Sequence, residues 1–284
     1  MNTFSVHTTR IHSIPVIEMY PTPTPSPSPL STSKIEDQSL QHNIPHSPES
    51  QLPQPPYPVV LLFHGFDSCK ERKLQHAYII AQQGFFVVMP DAVRHGERED
   101  SAFASLSYTQ KAEFLFDVVT ETAAAIDSIL NNYAQSSMVD TSSCGLVGTS
   151  MGGMVLYEYL ARSGTDRIKT AVSIISTPDF GSVIDNSMEN NPEFYNLYSR
   201  SKIDEVKASQ PLSMVSRLKD FPLLMLNSED DQLIPFFPAR NFYSDLHHQY
   251  TDKDLLKMKI FYNTGHQTTN NMMVESAVWL HNCL

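Results

Sequence analysis

From Pro58 to the C-terminus, short apolar runs alternate with stretches patterned for helices, and this rhythm constrains the fold more than any other feature. Val59–His64, Phe85–Met89, Cys144–Gly148, Ile168–Ser176, Phe221–Asn227 and Leu256–Asn263 read as strands. Glu71–Gln83, Thr109–Asn131, Met151–Ser163, Pro238–Tyr250 and Asn270–Asn282 read as helices. In the longest of them, Phe114, Val118, Ala125 and Ile129 share one face. Strands separated by helices imply βαβ units, hence an α/β fold with a mostly parallel central sheet and helices on both faces. A chain of 284 residues accommodates one such domain with insertions.

Three segments depart from the rhythm. Residues 1–20 carry β-prone Phe4, Val6, Ile11, Ile14, Val16 and Ile17 and are expected to add N-terminal strands to the sheet. Residues 21–57 are rich in proline, from Pro21 to Pro56, with few large apolar side chains and no glycine. Such a composition favours extended conformations and cannot repay the entropy of ordering itself, so a long flexible loop is expected. A segment read by a proline-recognising partner is the alternative. Residues 179–219 hold Phe180, Val183, Ile184, Met188, Phe194, Tyr195, Leu197 and Tyr198 and read as a small helical cap insertion. Its aromatics would line a pocket, and it would move.

Charge and hydropathy exclude several classes of function. Lys plus Arg number 20 against 31 Asp plus Glu, a net charge of −11, so no basic footprint for nucleic acid or an anionic membrane is expected. No apolar run approaches the roughly 20 residues of a membrane span. Met1–Arg10 has no apolar h-region, so no secretory signal is expected. Cys69, Cys144 and Cys283 are too scattered for a disulfide framework or a zinc site, which points to a reducing, cytoplasmic setting.

Only ten glycines are present, and four of them fall between Gly145 and Gly153. The run Gly145-Leu-Val-Gly148-Thr-Ser150-Met-Gly152-Gly153 contains Gly-x-Ser-x-Gly between a strand and a helix. A serine on such a turn adopts strained dihedrals while its flanks approach neighbouring backbone, which residues lacking Cβ allow. The turn lifts the Ser150 hydroxyl clear of the sheet and turns free N–H groups of the helix start toward it. In a triad of the order Ser, acid, His, the acid follows the strand after the cap and the histidine precedes the last helix. Glu229-Asp230-Asp231 and His266 occupy those places. Among the other histidines, His247, His248 and His281 read as surface residues, while His64 would orient backbone beside the turn. Asp91 and His95 supply too few ligands for zinc and are expected to brace their loop.

These motifs, with Leu61-Leu-Phe-His64-Gly65-Phe66, Val87-Val-Met-Pro90-Asp91-Ala-Val-Arg-His95-Gly96-Glu-Arg98 and Asp231-Gln-Leu-Ile-Pro235, resemble the α/β-hydrolases, in particular small bacterial esterases related to prolyl oligopeptidases and dienelactone hydrolases. The resemblance spans residues 58–284, which would form the catalytic domain. It implies an acyl-enzyme mechanism with Ser150 as nucleophile, His266 as base and Asp231 as acid. The spacing acid-x-x-Ile-Pro selects Asp231, and Asp230 remains the alternative. The backbone N–H groups of Phe66 and Met151 would form the oxyanion hole. Ser228 stands where the family pattern more often has glycine. The implied function is hydrolysis of small or short-acyl carboxylic esters without a metal or organic cofactor. A thioesterase or amide hydrolase with the same residues, and a catalytically silent binding protein, stand as alternatives. Replacing residues 22–54 with a short Gly/Ser linker is expected to preserve the thermal midpoint and most kcat/KM on small esters. A loss beyond about tenfold at an unchanged midpoint would assign the segment to the active site.

Overall fold

The computed structural model describes residues 3–22 and 54–284, so the expected proline-rich loop falls, over residues 23–53, outside the described residues. The elements in chain order are β1 (Phe4–Ile11), β2 (Ile14–Pro21), β3 (Tyr57–Phe63), α1 (Leu74–Ala81), β4 (Phe86–Pro90), α2 (Ser101–Ala104), α3 (Tyr108–Ala112), α4 (Leu115–Ala124), α5 (Ile126–Tyr133), β5 (Val139–Thr149), α6 (Met151–Ser163), β6 (Thr170–Ile174), α7 (Phe180–Asn190), α8 (Arg200–Ser209), β7 (Leu223–Ser228), α9 (Phe236–Gln249), β8 (Leu256–Phe261) and α10 (Asn270–Cys283). The eight strands form one sheet in the order β1-β2-β4-β3-β5-β6-β7-β8. β1 and β2 are an antiparallel hairpin, β2 pairs antiparallel with β4, and the remaining pairs are parallel.

The central strands are buried on both faces, which is why they read as continuous apolar runs rather than alternating ones. Successive side chains still point to opposite faces. Val60, Leu62, Val87 and Val147 pack with Ile80 of α1 and Met272 and Leu280 of α10. Leu61, Val88, Leu146 and Met225 pack on the other side with Phe116 of α4, Met154 and Leu160 of α6 and Phe242 of α9.

One local expectation is corrected. The single helix over Thr109–Asn131 is three helices, because the chain tightens at Phe114 and at Ala125. There the N–H groups donate to the Lys111 and Thr122 carbonyls, three residues back, which interrupts the α-helical pattern. Neither residue is a helix breaker, so local pattern cannot signal the interruptions. The polar loop after β4 contains α2, capped at its start by the Asp100 carboxylate, which accepts from Phe103 N–H at 2.8 Å.

Two features of this frame set the position of the site. The first is the close approach of α6 to the sheet. A Cβ on Gly148 would stand 2.1 Å from the Gly152 carbonyl oxygen, and one on Gly152 would stand 2.5 Å from that of Phe63. No side chain fits at either position. The second is a pair of histidine pins between the loops that follow β3 and β4. His64 Nδ1–H donates to the Gly65 carbonyl (2.8 Å), and its Nε2 accepts from Ala92 N–H (3.0 Å). In the reverse direction His95 Nδ1–H donates to Val93 (2.8 Å), and its Nε2 accepts from Asp67 N–H (3.1 Å). Each ring therefore uses one donor and one acceptor, which only the neutral imidazole supplies. Burial pushes the His64 pKa down to about 4 and lowers that of His95 as well.

The loop after β4 has a further anchor. Lys70 is fully buried, and its Nζ donates to Asp91 (2.7 Å) and Glu97 (2.7 Å) and pairs with Glu71 (2.8 Å). Burial opposes the charge, but these carboxylates outweigh it and raise the Lys70 pKa. Gly96 has φ +55° and lies over the Asp91 carboxylate, where a Cβ would come within 2.2 Å of an oxygen.

Gly148→Ala forces backbone apart and is expected to cost about 2 kcal/mol, read as a thermal midpoint lower by roughly 4–8 °C. Acid stability follows from the pins. Below pH 6.5 the unfolded chain protonates His64, whereas the folded chain resists until about pH 4, so stability present at neutral pH is lost as pH falls through that window. The contribution of His64 is roughly 3 kcal/mol at pH 4. Urea midpoints measured between pH 7 and pH 4 should fall, and the slope should be about one proton shallower in His64→Asn. An unchanged slope would show that His64 is not held neutral.

Candidate active site

Ser150 stands between β5 and α6 with φ 55° and ψ −117°, a left-handed conformation costly for a residue with a side chain. It is held from both sides. Its N–H donates to the Ile174 carbonyl of β6 (2.8 Å), and its carbonyl accepts from Met154 N–H (3.1 Å). The strain therefore falls on the serine itself, while the flanking glycines supply space. Gly65, at the end of β3, faces it, since a Cβ there would lie 3.5 Å from Ser150 Cβ.

Three side chains from three separate loops meet here. Ser150 Oγ donates to His266 Nε2 at 2.8 Å, and His266 Nδ1–H donates to Asp231 Oδ2 at 2.7 Å. Asp231 follows β7, and its side chain is essentially buried. Its other oxygen, Oδ1, accepts from Leu233 N–H (2.9 Å) and Ile234 N–H (3.0 Å). Those two bonds fix the carboxylate and leave Oδ2 aimed at the imidazole. His266 lies between β8 and α10 with its side chain 20% exposed. Phe66 and Met151 both border the cavity beside Ser150. Met151 is the first residue of α6, so its N–H has no intrahelical acceptor.

Asp230 is turned elsewhere. Its Oδ1 accepts from Ser228 Oγ (2.6 Å) and Thr264 N–H (3.3 Å), and its Oδ2 from Gly265 N–H (3.2 Å). The Ser228 hydroxyl and the Gly265 and Thr264 N–H groups hold its carboxyl below the usual range. Ser228 in turn accepts from Thr264 Oγ1 at 2.7 Å. Asp230 and Ser228 thus staple the loop that carries His266 to the end of β7. Of the remaining histidines, His248 and His281 are exposed and His247 lies near the end of α9.

A cavity of about 370 Å³ opens beside Ser150 and His266. Its walls come from the cap (Val183, Ile184, Phe194 and Tyr198), from α6 (Met154) and from the α3–α4 junction (Ala112, Leu115 and Phe116). Among the described residues, no Asp, Glu, Lys or Arg lines it. The expected cap aromatics divide: Phe194 and Tyr198 face the cavity, Tyr195 is 57% exposed, and Phe180 packs behind Phe116. Sequence reasoning missed Leu115 and Phe116, because the register read from a single long helix put neither in its marked face. It also missed Asn186 of α7. The Asn186 amide donates to the Gln232 and Leu233 carbonyls (3.0 and 3.2 Å) and ties the cap to the loop that orients Asp231. Among the described residues, no cluster of three or more His, Cys, Asp or Glu could hold a metal ion, and no helix is long and apolar enough to cross a membrane.

Comparison with known proteins extends this picture. "Putative esterase YitV" of Bacillus subtilis is 28% identical over 236 residues, covering 80% of this chain and 89% of its own. "Esterase YjfP" of Escherichia coli is 25% identical over 186 residues, covering 63% and 71%. The crystal structure of TT1662 from Thermus thermophilus superposes with a TM-score of 0.68 at 18% identity, over 98% of each chain, and so shares the fold. The model of the prolyl oligopeptidase family matches residues 72–281, most of the sheet and every loop described above except the one after β3. With this match, the chain belongs to the prolyl oligopeptidase family and is a hydrolase of the α/β-hydrolase fold.

Proposed function

We propose that the protein is a serine carboxylic-ester hydrolase that works through an acyl-enzyme on small, uncharged esters. The observation that carries this reading is the unbroken hydrogen-bond path from Ser150 Oγ through His266 to the doubly anchored Asp231. Ser150 Oγ attacks the ester carbonyl while His266 Nε2 takes its proton. The oxyanion is stabilised by the N–H groups of Phe66 and Met151. His266 then delivers the proton to the departing alkoxide, and the acyl group stays on Ser150. Water, deprotonated by the same nitrogen, releases the acid. Asp231 keeps Nδ1 protonated and stabilises the imidazolium without accepting its proton. Every group this chemistry requires comes from the chain.

The names of the Bacillus and Escherichia relatives support ester over amide substrates. So does the cavity, which is walled in part by the cap and whose described lining holds no Asp, Glu, Lys or Arg to anchor a peptide terminus. A cytoplasmic location belongs to the same reading, since Cys69, Cys144 and Cys283 are free thiols of the kind a reducing compartment preserves.

Turnover of a p-nitrophenyl acyl ester, an acyl thioester and an anilide tests the reading. The ester should be the best substrate by kcat/KM, and Ser150→Ala should lower kcat by at least about 10⁴-fold. Equal activity of wild type and Ser150→Ala would refute it. Asp231→Asn should lower kcat by about 10⁴-fold through loss of the productive tautomer. Asp230→Asn should cost at most about tenfold in kcat, because it frees a loop rather than a proton path. If Asp230→Asn proves the more damaging, Asp230 is the acid.

A further inference from the structure

The cavity beside Ser150 is not the only one against the cap. A second, of about 280 Å³, lies between the cap and helices α4 and α6. Its walls are polar and charged, with Asp117, Glu121, Glu158, Arg162, Lys202 and Glu205 among them. One side chain, Phe116, borders both cavities. Its ring packs at 5.4 Å from Phe180, which lines the charged cavity, and at 6.1 Å from Tyr198, which lines the apolar one. Tyr198 is itself fixed, its hydroxyl donating to the Ala112 carbonyl at 2.5 Å. Phe116 is almost fully buried and stands between a mostly apolar chamber, whose rim carries the amides of Asn186, Asn190, Asn191 and Gln232, and a charged crevice.

The direction of a bound ester follows from the base. The leaving oxygen must face His266 Nε2, on the partly exposed side of the site. The acyl chain is then left to the mostly apolar cavity, whose wall includes Met154, Leu115 and Phe116. We propose that Phe116 is the end stop of the acyl pocket, and that the substrates are esters of uncharged acyl chains of limited length. This rests on the esterase reading above and specifies the substrate class of that site. Each added methylene buries apolar surface until the chain meets the ring. A longer chain must displace a ring packed on two aromatics, and the crevice behind it solvates charge rather than hydrocarbon. Among the described residues, none that lines the chamber is a Lys or Arg to pair with an ω-carboxylate on the acyl chain.

A series of p-nitrophenyl esters from acetate to dodecanoate, with the ω-carboxy succinate ester, tests the proposal. Active enzyme is counted by labelling Ser150 with a fluorophosphonate. In wild type kcat/KM should rise by up to about fourfold per methylene and then break off sharply. The succinate ester should be at least about a hundredfold poorer than butanoate. Phe116→Ala should move the break by two or more carbons and raise kcat/KM of the longest esters at least tenfold, and Phe116→Trp should shorten the accepted chain. Phe116→Leu, which removes less volume, carries the test should the alanine variant fail to fold, with a shift of at least one carbon. A uniform change across all chain lengths, or a break at the same carbon in every variant, overturns the assignment of Phe116. If wild type turns over no ester and is not labelled, it is the esterase reading that fails.

Discussion

Helix α6 begins so close to the sheet that backbone touches backbone, and the rest of the candidate active site depends on that contact. Gly148 and Gly152 lie where a single methyl group would overlap a carbonyl oxygen. The tight approach forces Ser150 to φ 55°, and the Ile174 carbonyl and the first turn of α6 hold it there. A residue strained in this way persists only when its surroundings over-determine it. Here those surroundings are two strands, a helix and a loop, all meeting within a few ångströms. The hydroxyl is consequently fixed before any substrate arrives, which is the condition for positioning it against a base.

The loops around it are held by polar side chains whose hydrogen bonds run from loop to loop. His64 and His95 cross-link the turns after β3 and β4, each in the neutral form because each must both donate and accept. Lys70 and Asp91 add a buried ion pair beneath the same turns. Such a network costs desolvation and repays it only while every member is satisfied. Its effect is to fix the backbone at Phe66, one side of the proposed oxyanion hole. On the opposite side Asp230, Ser228 and Thr264 bind the His266 loop to the Asp231 loop. The serine that departs from the family pattern at position 228 thus has a defined role as a loop staple.

Above this rigid floor the cap supplies shape. Helix α7 is bound to the Asp231 loop through Asn186, and Lys202 of α8 pairs with Asp117 of α4 at 2.7 Å. The cap therefore touches both the loop that orients Asp231 and the helix that carries Phe116. The cap and the polar path below it are joined through a few direct contacts.

The sequence by itself determined the parallel α/β architecture, the strand-to-helix turn at Ser150, and the order in which an acid and His266 follow. Each of these is written locally: in apolar runs bounded by turns, in glycines clustered where space is short, and in motifs adjacent to strand ends. Helix Met151–Ser163 was legible to the residue for the same reason. Tertiary structure alone decided the rest. Asp230 and Asp231 are neighbours with the same side chain, and only the directions of the Leu233, Ile234, Gly265 and Thr264 N–H groups distinguish the one facing His266 from the one stapling its loop. The interruptions at Phe114 and Ala125 correspond to no breaker in the sequence, since neither residue is a glycine or proline. Phe116 becomes a partition only when α4 meets the cap, a contact between segments more than 60 residues apart that no local pattern encodes.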